Sequence, residues 1–123
     1  MNWSDYPNFS AKEFNCHHCG ANEMNPEFMA KLQQLRTVYG APMRITSGYR
    51  CPQHPIEAKK AAPGPHTSGQ ACDISVQGAE AHRLLKLALE AGFTGIGVQQ
   101  EGLGRFLHLD TLESKNRPTI WSY

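Results

Sequence analysis

The sequence has almost no excess of charge and no long apolar run, and each absence argues against a class of protein. Lysine and arginine together number 12 and aspartate and glutamate 11, so the formal net charge is only +1. Such a small charge gives no electrostatic reason to expect nucleic acid or an anionic membrane as a partner. No segment approaches the roughly 18 consecutive apolar residues of a membrane span. With 40% hydrophobic residues in a chain of 123, we expect a single globular domain over residues 1–123, acting as a monomer.

A secretory signal is also lacking at the N-terminus. Residues 1–5 (MNWSD) have neither the basic start nor the apolar stretch of such a signal. We therefore expect the chain to be made in the cytoplasm and to reach another compartment only when something else releases it.

Paired cysteines are scarce, because the spacing Cys-x-x-Cys occurs only once, at residues 16–19 (CHHC). One such pair supplies half of a structural zinc site, and a zinc ribbon needs a second pair. Cys51 and Cys72 stand alone in the sequence; they either complete a metal cluster with Cys16 and Cys19 or pack as small apolar residues. Three interpretations of the pair stay open: a structural or inert role, a second metal site, and redox chemistry. Cys72, in an apolar run, is most simply a core residue.

Periodicity predicts two main helices and four short strands. The first helix begins after Asn25 with Pro26 in its first turn and ends at Gly40, and the second covers Ala79–Ala91. The predicted strands are Met43–Ser47, Ala71–Val76, Gly95–Gln99 and Arg105–Thr111. Because helices and strands do not alternate strictly, these elements predict an α+β fold with a small, mainly antiparallel sheet.

A long segment between the first two strands, residues 51–70, is rich in proline and glycine. We predict an ordered loop there, with one helical turn at Glu57–Ala61. A structureless stretch of about twenty residues is uncommon in a compact domain, and when ordered it is usually functional.

Two histidines and an aspartate form the candidate centre of chemistry. His66 and Asp73 bracket the end of the long loop, and a carboxylate inside the apolar strand at Asp73 is costly unless it is paired or binds a metal. In the last strand His108 and Asp110 alternate with leucines that face the core, so we expect both polar side chains on an open face. His66, Asp73 and His108 suit a zinc site of three protein ligands with one open position. The alternatives are a loop-capping role for Asp73 and an ordinary surface position for His108.

Several short motifs occur in a distinctive order. They are residues 47–52 (SGYRCP), His66 followed by Asp73, residues 95–97 (GIG), residues 106–110 (FLHLD) and residues 121–123 (WSY). Together they resemble the zinc D-Ala-D-Ala carboxypeptidases, and most closely their small phage-type branch, over roughly residues 7–123. That family shares its fold with the lysostaphin-type enzymes and the hedgehog signalling domain. The resemblance implies one zinc ion held by His66, Asp73 and His108, and action on peptides of the bacterial cell wall that contain D-amino acids.

Three positions depart from the pattern of the relatives. Gly64 stands where most have a serine, His54-Pro55 stands where many have His-Asn, and Arg105 stands where several carry the catalytic carboxylate. The general base therefore cannot be at position 105. Asp110 occupies the place that this branch uses and is the predicted base, with Glu101 as the reserve.

The expected mechanism uses a zinc-activated water as the nucleophile, with Asp110 taking its proton and delivering it to the leaving amine. Arg50 is predicted to bind a substrate carboxylate or the developing oxyanion through its planar guanidinium group. The alternative for Arg50 is a structural bridge to a nearby acid. Ser47 is predicted to hydrogen-bond the peptide or to cap the turn.

The leading hypothesis is a zinc peptidase that cuts peptidoglycan stem peptides, either as a D-Ala-D-Ala carboxypeptidase or as an L-Ala-D-Glu-type endopeptidase. An endolysin-like lysis protein or a virion-associated hydrolase fits best, reaching the wall only when the membrane is breached. A second hypothesis is a non-catalytic cell-wall or protein binding module that keeps the fold and the metal. A third, a zinc-finger-like contact to nucleic acid through Cys16 and Cys19, is disfavoured by the near-neutral charge.

Overall fold

Five strands form one mixed sheet in the computed structural model, which describes all of residues 1–123. Their spatial order is β1-β2-β4-β3-β5, and every neighbouring pair is antiparallel except β3 and β5. The strands are β1 (Arg44–Ser47), β2 (Ala71–Ser75), β3 (Gly95–Gln99), β4 (Phe106–Asp110) and β5 (Thr119–Ser122). The predicted α+β fold with a mainly antiparallel sheet is confirmed.

Three α-helices accompany the sheet: α1 (Pro26–Tyr39), α2 (Pro55–Ala58) and α3 (Gly78–Glu90). The Asn25 side chain accepts a hydrogen bond from the Phe28 N–H at 2.9 Å and so caps α1, as its position before a proline predicts. Short 3₁₀ helices cover Trp3–Asp5, Ala11–Phe14 and Pro65–Ser68. None of the helices combines the length and the apolar character that crossing a membrane requires.

Two elements differ from the predictions. The single helical turn of the long loop is α2, which begins earlier than predicted because the His54 side chain accepts from the Ile56 N–H and caps it there. β5 was not predicted at all. It lies parallel to β3 with Gly97 opposite Trp121, and most of its residues are exposed, so it lacks the apolar alternation by which strands are detected.

The two faces of the sheet have different chemistry. Ile74, Leu107 and Leu109 are almost fully buried in the hydrophobic core together with Leu32 of α1 and Leu84 of α3. Side chains of successive strand residues point to opposite faces. The opposite face of the same strands therefore carries the polar residues of β2 and β4, and it is the face on which the candidate site is built.

That polar face is not open, so the prediction of an open position for His108 and Asp110 is wrong. His108 is 2% exposed and Asp110 is 0% exposed. The cause is β5 and the segment before it: the Trp121 ring lies 5.0 Å from the His108 ring, and Arg117 pairs with Asp110. Sequence alternation identified the face correctly but not what covers it.

Candidate metal centre

Three buried side chains converge on the polar face of the sheet, and we call His66, Asp73 and His108 the metal triad. Asp73 and His108 lie directly opposite each other on β2 and β4, and His66 comes from the 3₁₀ helix before β2. The Asp73 Oδ1 atom lies 3.2 Å from His66 Nε2 and 3.1 Å from His108 Nδ1. One ligand atom from each residue lies within 4.8 Å of the others. The predicted convergence of these three residues is thus present.

The His66 ring is held in one tautomer by the backbone. Its Nδ1 lies 2.8 Å from the carbonyl oxygen of Gly48, and a carbonyl can only accept, so Nδ1 carries the hydrogen and donates. In the neutral ring, Nε2 then presents its lone pair to Asp73. This explains why a motif residue, Gly48, lies next to the site although it has no side chain.

The His108 ring is held in the opposite sense by Asp110. His108 Nε2 lies 2.7 Å from Asp110 Oδ2, so Nε2 donates to the carboxylate and Nδ1 of the neutral ring presents its lone pair to Asp73. A carboxylate that fixes the tautomer of a ligating imidazole is a recurrent feature of metal sites. Asp110 thus contacts the His108 ring at Nε2, whereas the Nδ1 atom of the same ring faces Asp73.

The lone pairs of the metal triad meet in a way that requires a cation. Two neutral imidazole nitrogens and a carboxylate oxygen are all acceptors, and at 3.1–3.2 Å they repel one another unless a proton or a metal ion lies among them. Nitrogen and oxygen donors of this kind are those that zinc takes in catalytic sites. The residues present therefore fit a zinc ion.

Protonation and metal binding compete for this centre. Burial alone would lower the pKa of His108, but the carboxylates of Asp110 and Asp73 outweigh it and raise the pKa. Burial alone would raise the pKa of Asp73, but the His108 and His66 rings, which donate to Asp73 when they are protonated, hold it well below its usual range. Because a ligating imidazole must lose its proton, metal affinity falls as pH falls.

Arg50 lies at the edge of the metal triad and is held by several partners. Its Nε donates to Ser47 Oγ at 3.2 Å, its Nη1 to Glu57 Oε2 at 3.3 Å, and its Nη2 lies 3.5 Å from Asp73 Oδ2. Arg50 therefore does form the structural bridge to an acid that was its alternative role, and Ser47 contacts the guanidinium. The predicted substrate roles of Arg50 and Ser47 stay predictions.

Glu57 was missed by sequence reasoning, although it anchors this corner of the site. It is 3% exposed and accepts from the Gly64 N–H at 2.8 Å and from Lys60 Nζ at 3.0 Å as well as from Arg50. Burial would raise the pKa of Glu57, but these N–H donors outweigh it and lower the pKa to about 2. No sequence signal distinguishes Glu57 from an ordinary surface acid of a short helix.

The residues that cover Asp110 were also missed. Arg117 donates to both carboxylate oxygens, from Nε at 3.0 Å and from Nη2 at 2.9 Å, and its guanidinium lies 5.1 Å from the centre of the Trp121 ring. Burial would raise the pKa of Asp110, but His108 and Arg117 outweigh it and lower the pKa. Trp121 belongs to a motif quoted above, but nothing in the sequence pairs Arg117 with Asp110.

Glycines of β3 make room for this arrangement. A Cβ at Gly95 would collide with the Asp110 carboxylate, and one at Gly97 would lie 2.7 Å from Trp121 Nε1. The alternation Gly95-Ile96-Gly97 therefore leaves the site face of β3 bare while Ile96 fills the core.

The metal triad opens into a cleft of about 560 Å³. Cationic groups line it at Arg50 and Lys60, and aromatic rings line it at Phe106, Trp121 and Tyr123. Asp73 is the only acidic residue in its wall, and Asp110 is absent from it. Glu101, the reserve base, is exposed in the turn between β3 and β4 and does not line this cleft.

A second group of possible ligands lies apart from the metal triad. The thiols of Cys16, Cys19 and Cys51, which we call the thiol cluster, lie within 4.8 Å of one another. Cys72 is not part of it and is fully buried in the core, as predicted. Burial would raise the pKa of Cys16, but N–H groups of Cys51, Cys19 and His18 outweigh it and lower the pKa to about 7.

The fold and the metal triad together define an α+β protein with three candidate metal ligands beside a cleft. The model of one family, described as Peptidase M15, matches residues 7–110. The chain therefore belongs to the peptidase M15 family, and the matched span includes the metal triad and Asp110. A search of curated proteins found no match.

Proposed function

We propose that this protein is a zinc peptidase that hydrolyses a peptide bond in peptidoglycan stem peptides, as a D-Ala-D-Ala carboxypeptidase or as an L-Ala-D-Glu-type endopeptidase. Membership of the peptidase M15 family supports hydrolysis of a peptide. The observation that carries the proposal is the convergence of three buried acceptor atoms from His66, Asp73 and His108 at the wall of a cleft. A binding module that lacked the metal would not need these fixed tautomers, and one that kept the metal differs from a peptidase in failing to cleave peptidoglycan fragments.

His66, Asp73 and His108 would hold the metal. When bound there, zinc supplies a Lewis acid and lowers the pKa of water towards about 7. The Gly48 carbonyl and the Asp110 carboxylate keep both imidazoles in the ligating tautomer, at 2.8 Å and 2.7 Å, so no reorganisation of the rings is needed before metal binds.

Arg50 would orient the substrate. Ser47, Glu57 and Asp73 face three of the five N–H groups of its guanidinium, so at least two remain for a ligand in the cleft. An arginine held in this way can bind a carboxylate in two-pronged geometry with little loss of conformational entropy. Stem peptides carry such carboxylates at their C-terminus and on D-glutamate.

For Asp110 we propose a positioning role in place of the general-base role. A general base must lie within hydrogen-bond reach of the proton that it takes. Asp110 is fully buried, Arg117 and His108 occupy its oxygens, and its carboxylate lies on the outer side of the His108 ring. Its contacts support orientation of His108 through the Nε2–H, which leaves Nδ1 for the metal.

Aromatic side chains would shield the reacting bond from bulk water. Trp121 packs on His108 at 5.0 Å, and Phe106 packs against Tyr123 at the same distance. These rings line the same cleft as the cationic groups of Arg50 and Lys60. A cleft with both apolar and cationic groups suits a peptide with small D-alanine side chains and a nearby carboxylate. A role in lysis or in the virion, after release from the cytoplasm, belongs to the same proposal.

The test is mass spectrometry of purified peptidoglycan fragments after incubation with zinc-loaded protein. We expect release of D-alanine for a carboxypeptidase, or new termini between L-alanine and D-glutamate for an endopeptidase. A chelated sample and the variant His66→Ala serve as controls and are expected to give no release.

Absence of any new terminus, with zinc bound and the fold intact, would contradict hydrolysis. If the same protein then sedimented with intact peptidoglycan, the non-catalytic binding module would be the correct reading.

A further inference from the structure

We propose that the thiol cluster of Cys16, Cys19 and Cys51 binds a second, structural zinc ion with His18 as its fourth ligand. The site would be separate from the metal triad in position, ligand type and purpose. It does not depend on whether the protein is a peptidase.

The thiol cluster is compact enough to close around one tetrahedral zinc ion. With a zinc–sulfur bond of about 2.3 Å, tetrahedral geometry puts sulfur atoms about 3.8 Å apart and a sulfur and an imidazole nitrogen about 3.5 Å apart. The three thiols lie within 4.8 Å of one another, and small side-chain rotations would bring them to that spacing. His18 Nδ1 lies 3.5 Å from Cys51 Sγ but is not within 4.8 Å of all three thiols, so its ring would turn towards them when zinc binds.

The backbone around Cys16 is arranged to favour a thiolate. The N–H of Cys51 donates to Cys16 Sγ at 3.3 Å. The Gly20 N–H bonds to the Cys16 carbonyl at 2.8 Å with Gly20 in the left-handed region, which turns the chain and brings Cys19 back towards Cys16. Zinc binds the thiolate form.

Apolar packing accounts for the burial of Cys16 and Cys51, which belong to the hydrophobic core as Cys72 does, but it does not account for the grouping of three thiols. Cys72 lies in that core and belongs to no group of possible ligands. Cys19 is exposed, yet it lies against two buried thiols, Cys16 in the same Cys-x-x-Cys and Cys51 from a distant part of the chain. A disulfide between any two of the three would leave one thiol without a partner, whereas a zinc ion uses all three.

His18 is assigned as the fourth ligand in preference to His54 on the basis of contacts. Cys51 and His54 have the spacing of a second half-site, Cys-x-x-His. However, His54 Nδ1 accepts from the Ile56 N–H at 3.1 Å to cap α2, and the His54 ring centre lies 6.3 Å from that of His18. His18 alone contacts a thiol of the cluster through a ring nitrogen.

A zinc ion at this position would fasten the N-terminal segment to the loop that carries Arg50. Cys51 follows Arg50 directly, and the Tyr49 N–H bonds to the Phe14 carbonyl at 2.9 Å. Gly48, whose carbonyl holds His66, lies in the same stretch. A structural ion there would stabilise the backbone of residues 48–51, which positions Arg50 and, through the Gly48 carbonyl, His66.

The experiment measures zinc in the full chain, purified under reducing conditions, by inductively coupled plasma mass spectrometry. We expect two zinc ions per chain in the wild type and one in the double variant His66→Ala/His108→Ala. Adding Cys19→Ser to the double variant should remove the remaining ion, and because Cys19 is exposed, this substitution leaves the core packing intact. Loss of metal by the double variant itself, with folding verified by circular dichroism, would overturn the proposal.

Cobalt substitution identifies the ligands in the double variant. Bound Co²⁺ should give a sulfur-to-cobalt charge-transfer band in the near ultraviolet, which Cys51→Ser weakens and the matched control Cys72→Ala leaves unchanged. In competition with a chelator, His18→Ala should lower zinc affinity at least tenfold and His54→Ala less than twofold. Absence of the charge-transfer band would overturn the thiolate site, and the reverse order of the two histidines would overturn the assignment of His18.

Discussion

The two groups of potential metal ligands in this chain are built in opposite ways. The metal triad takes Asp73 and His108 from paired central strands, and all three of its residues are buried. The thiol cluster takes its residues from turns outside the sheet, and Cys19 is exposed. The first group lies at the wall of a cleft, whereas the second joins two loops.

This difference corresponds to two uses of a metal ion. Catalytic zinc sites keep three protein ligands and one open position, whereas structural sites are closed by four ligands that include thiolates. In the metal triad each imidazole has its second nitrogen fixed, by Gly48 or by Asp110, which prepares a centre of defined geometry. The sheet would hold the ligands of a catalytic ion in a fixed geometry. A closed zinc site at the thiol cluster would hold together two loops that the sheet does not hold.

The largest expected effect separates the two groups. His66→Ala removes one ligand of the metal triad and leaves the thiol cluster untouched, so peptidase activity should fall to the assay background while the unfolding transition stays cooperative. Activity is measured by release of new termini from peptidoglycan fragments, and folding by thermal denaturation. His82→Ala, an exposed histidine of α3, is the matched control and should retain wild-type activity.

Retention of more than a tenth of the activity in His66→Ala would mean that the metal triad is not the catalytic centre. In that case the thiol cluster would have to be reconsidered as the site of chemistry.

The next largest effect is expected for Asp110, which fixes the tautomer of His108. Asp110→Ala removes the acceptor of the His108 Nε2–H, so zinc affinity should fall about 10- to 100-fold, the usual cost of losing such a partner. Zinc affinity is measured by competition with a chelator, and activity is then measured again at saturating zinc. A positioning residue predicts that saturating zinc restores much of the activity.

If Asp110→Ala keeps full zinc affinity but has no activity at any zinc concentration, Asp110 is the general base after all. Arg117→Lys provides a second readout, because it disturbs Asp110 without changing its charge and should shift zinc affinity in the same direction.

A smaller effect concerns Glu57, which lies in the segment between the two groups and holds Arg50. Glu57→Gln should destabilise the fold by about 1–3 kcal/mol, because Arg50, Lys60 and the Gly64 N–H lose a charged acceptor at a buried position. The pKa of Glu57 is lowered from 4.5 to about 2, so its contribution is fully present above about pH 4.5 and is lost as pH falls towards 2. Urea denaturation of both proteins between pH 3 and 8 is therefore expected to give a difference that shrinks below about pH 4.5.

A stability difference between wild type and Glu57→Gln that stayed constant down to pH 3 would contradict the lowered pKa. Glu90→Gln, at an exposed position of α3, is the control and should change stability by less than about 0.5 kcal/mol.

The sequence predicted the metal triad because each member carries a local signal. Asp73 is a carboxylate in an apolar strand, His108 lies in an alternating strand, and His66 precedes a glycine turn. The pairing of β2 with β4 then brings Asp73 and His108 opposite each other. The helices followed from caps such as Asn25 and from apolar periodicity.

What the sequence could not predict depends on contacts between distant segments. β5 pairs in parallel with β3 although its residues are mostly exposed, and this pairing places Trp121 over His108 and Arg117 over Asp110. The roles of Arg117 and Glu57 follow only from their ion-pair partners in the folded chain. These partners are Asp110 for Arg117, and Arg50 and Lys60 for Glu57. Cys51 and Cys16 are far apart in sequence and meet only in the folded chain. The sequence therefore could not decide whether Cys51 completes a metal cluster with Cys16 and Cys19 or packs as a small apolar residue.

The smallest expected effect concerns Glu101, the reserve candidate for the general base. Glu101 lies outside the cleft that the metal triad lines. Glu101 is exposed, and its N–H bonds only to the side chain of the neighbouring Gln99. Glu101→Gln should therefore change stability by less than about 0.5 kcal/mol and activity by less than twofold, measured in the same assays. A tenfold loss of activity would show that the β3–β4 turn moves over the cleft when substrate binds and that Glu101 is the proton acceptor.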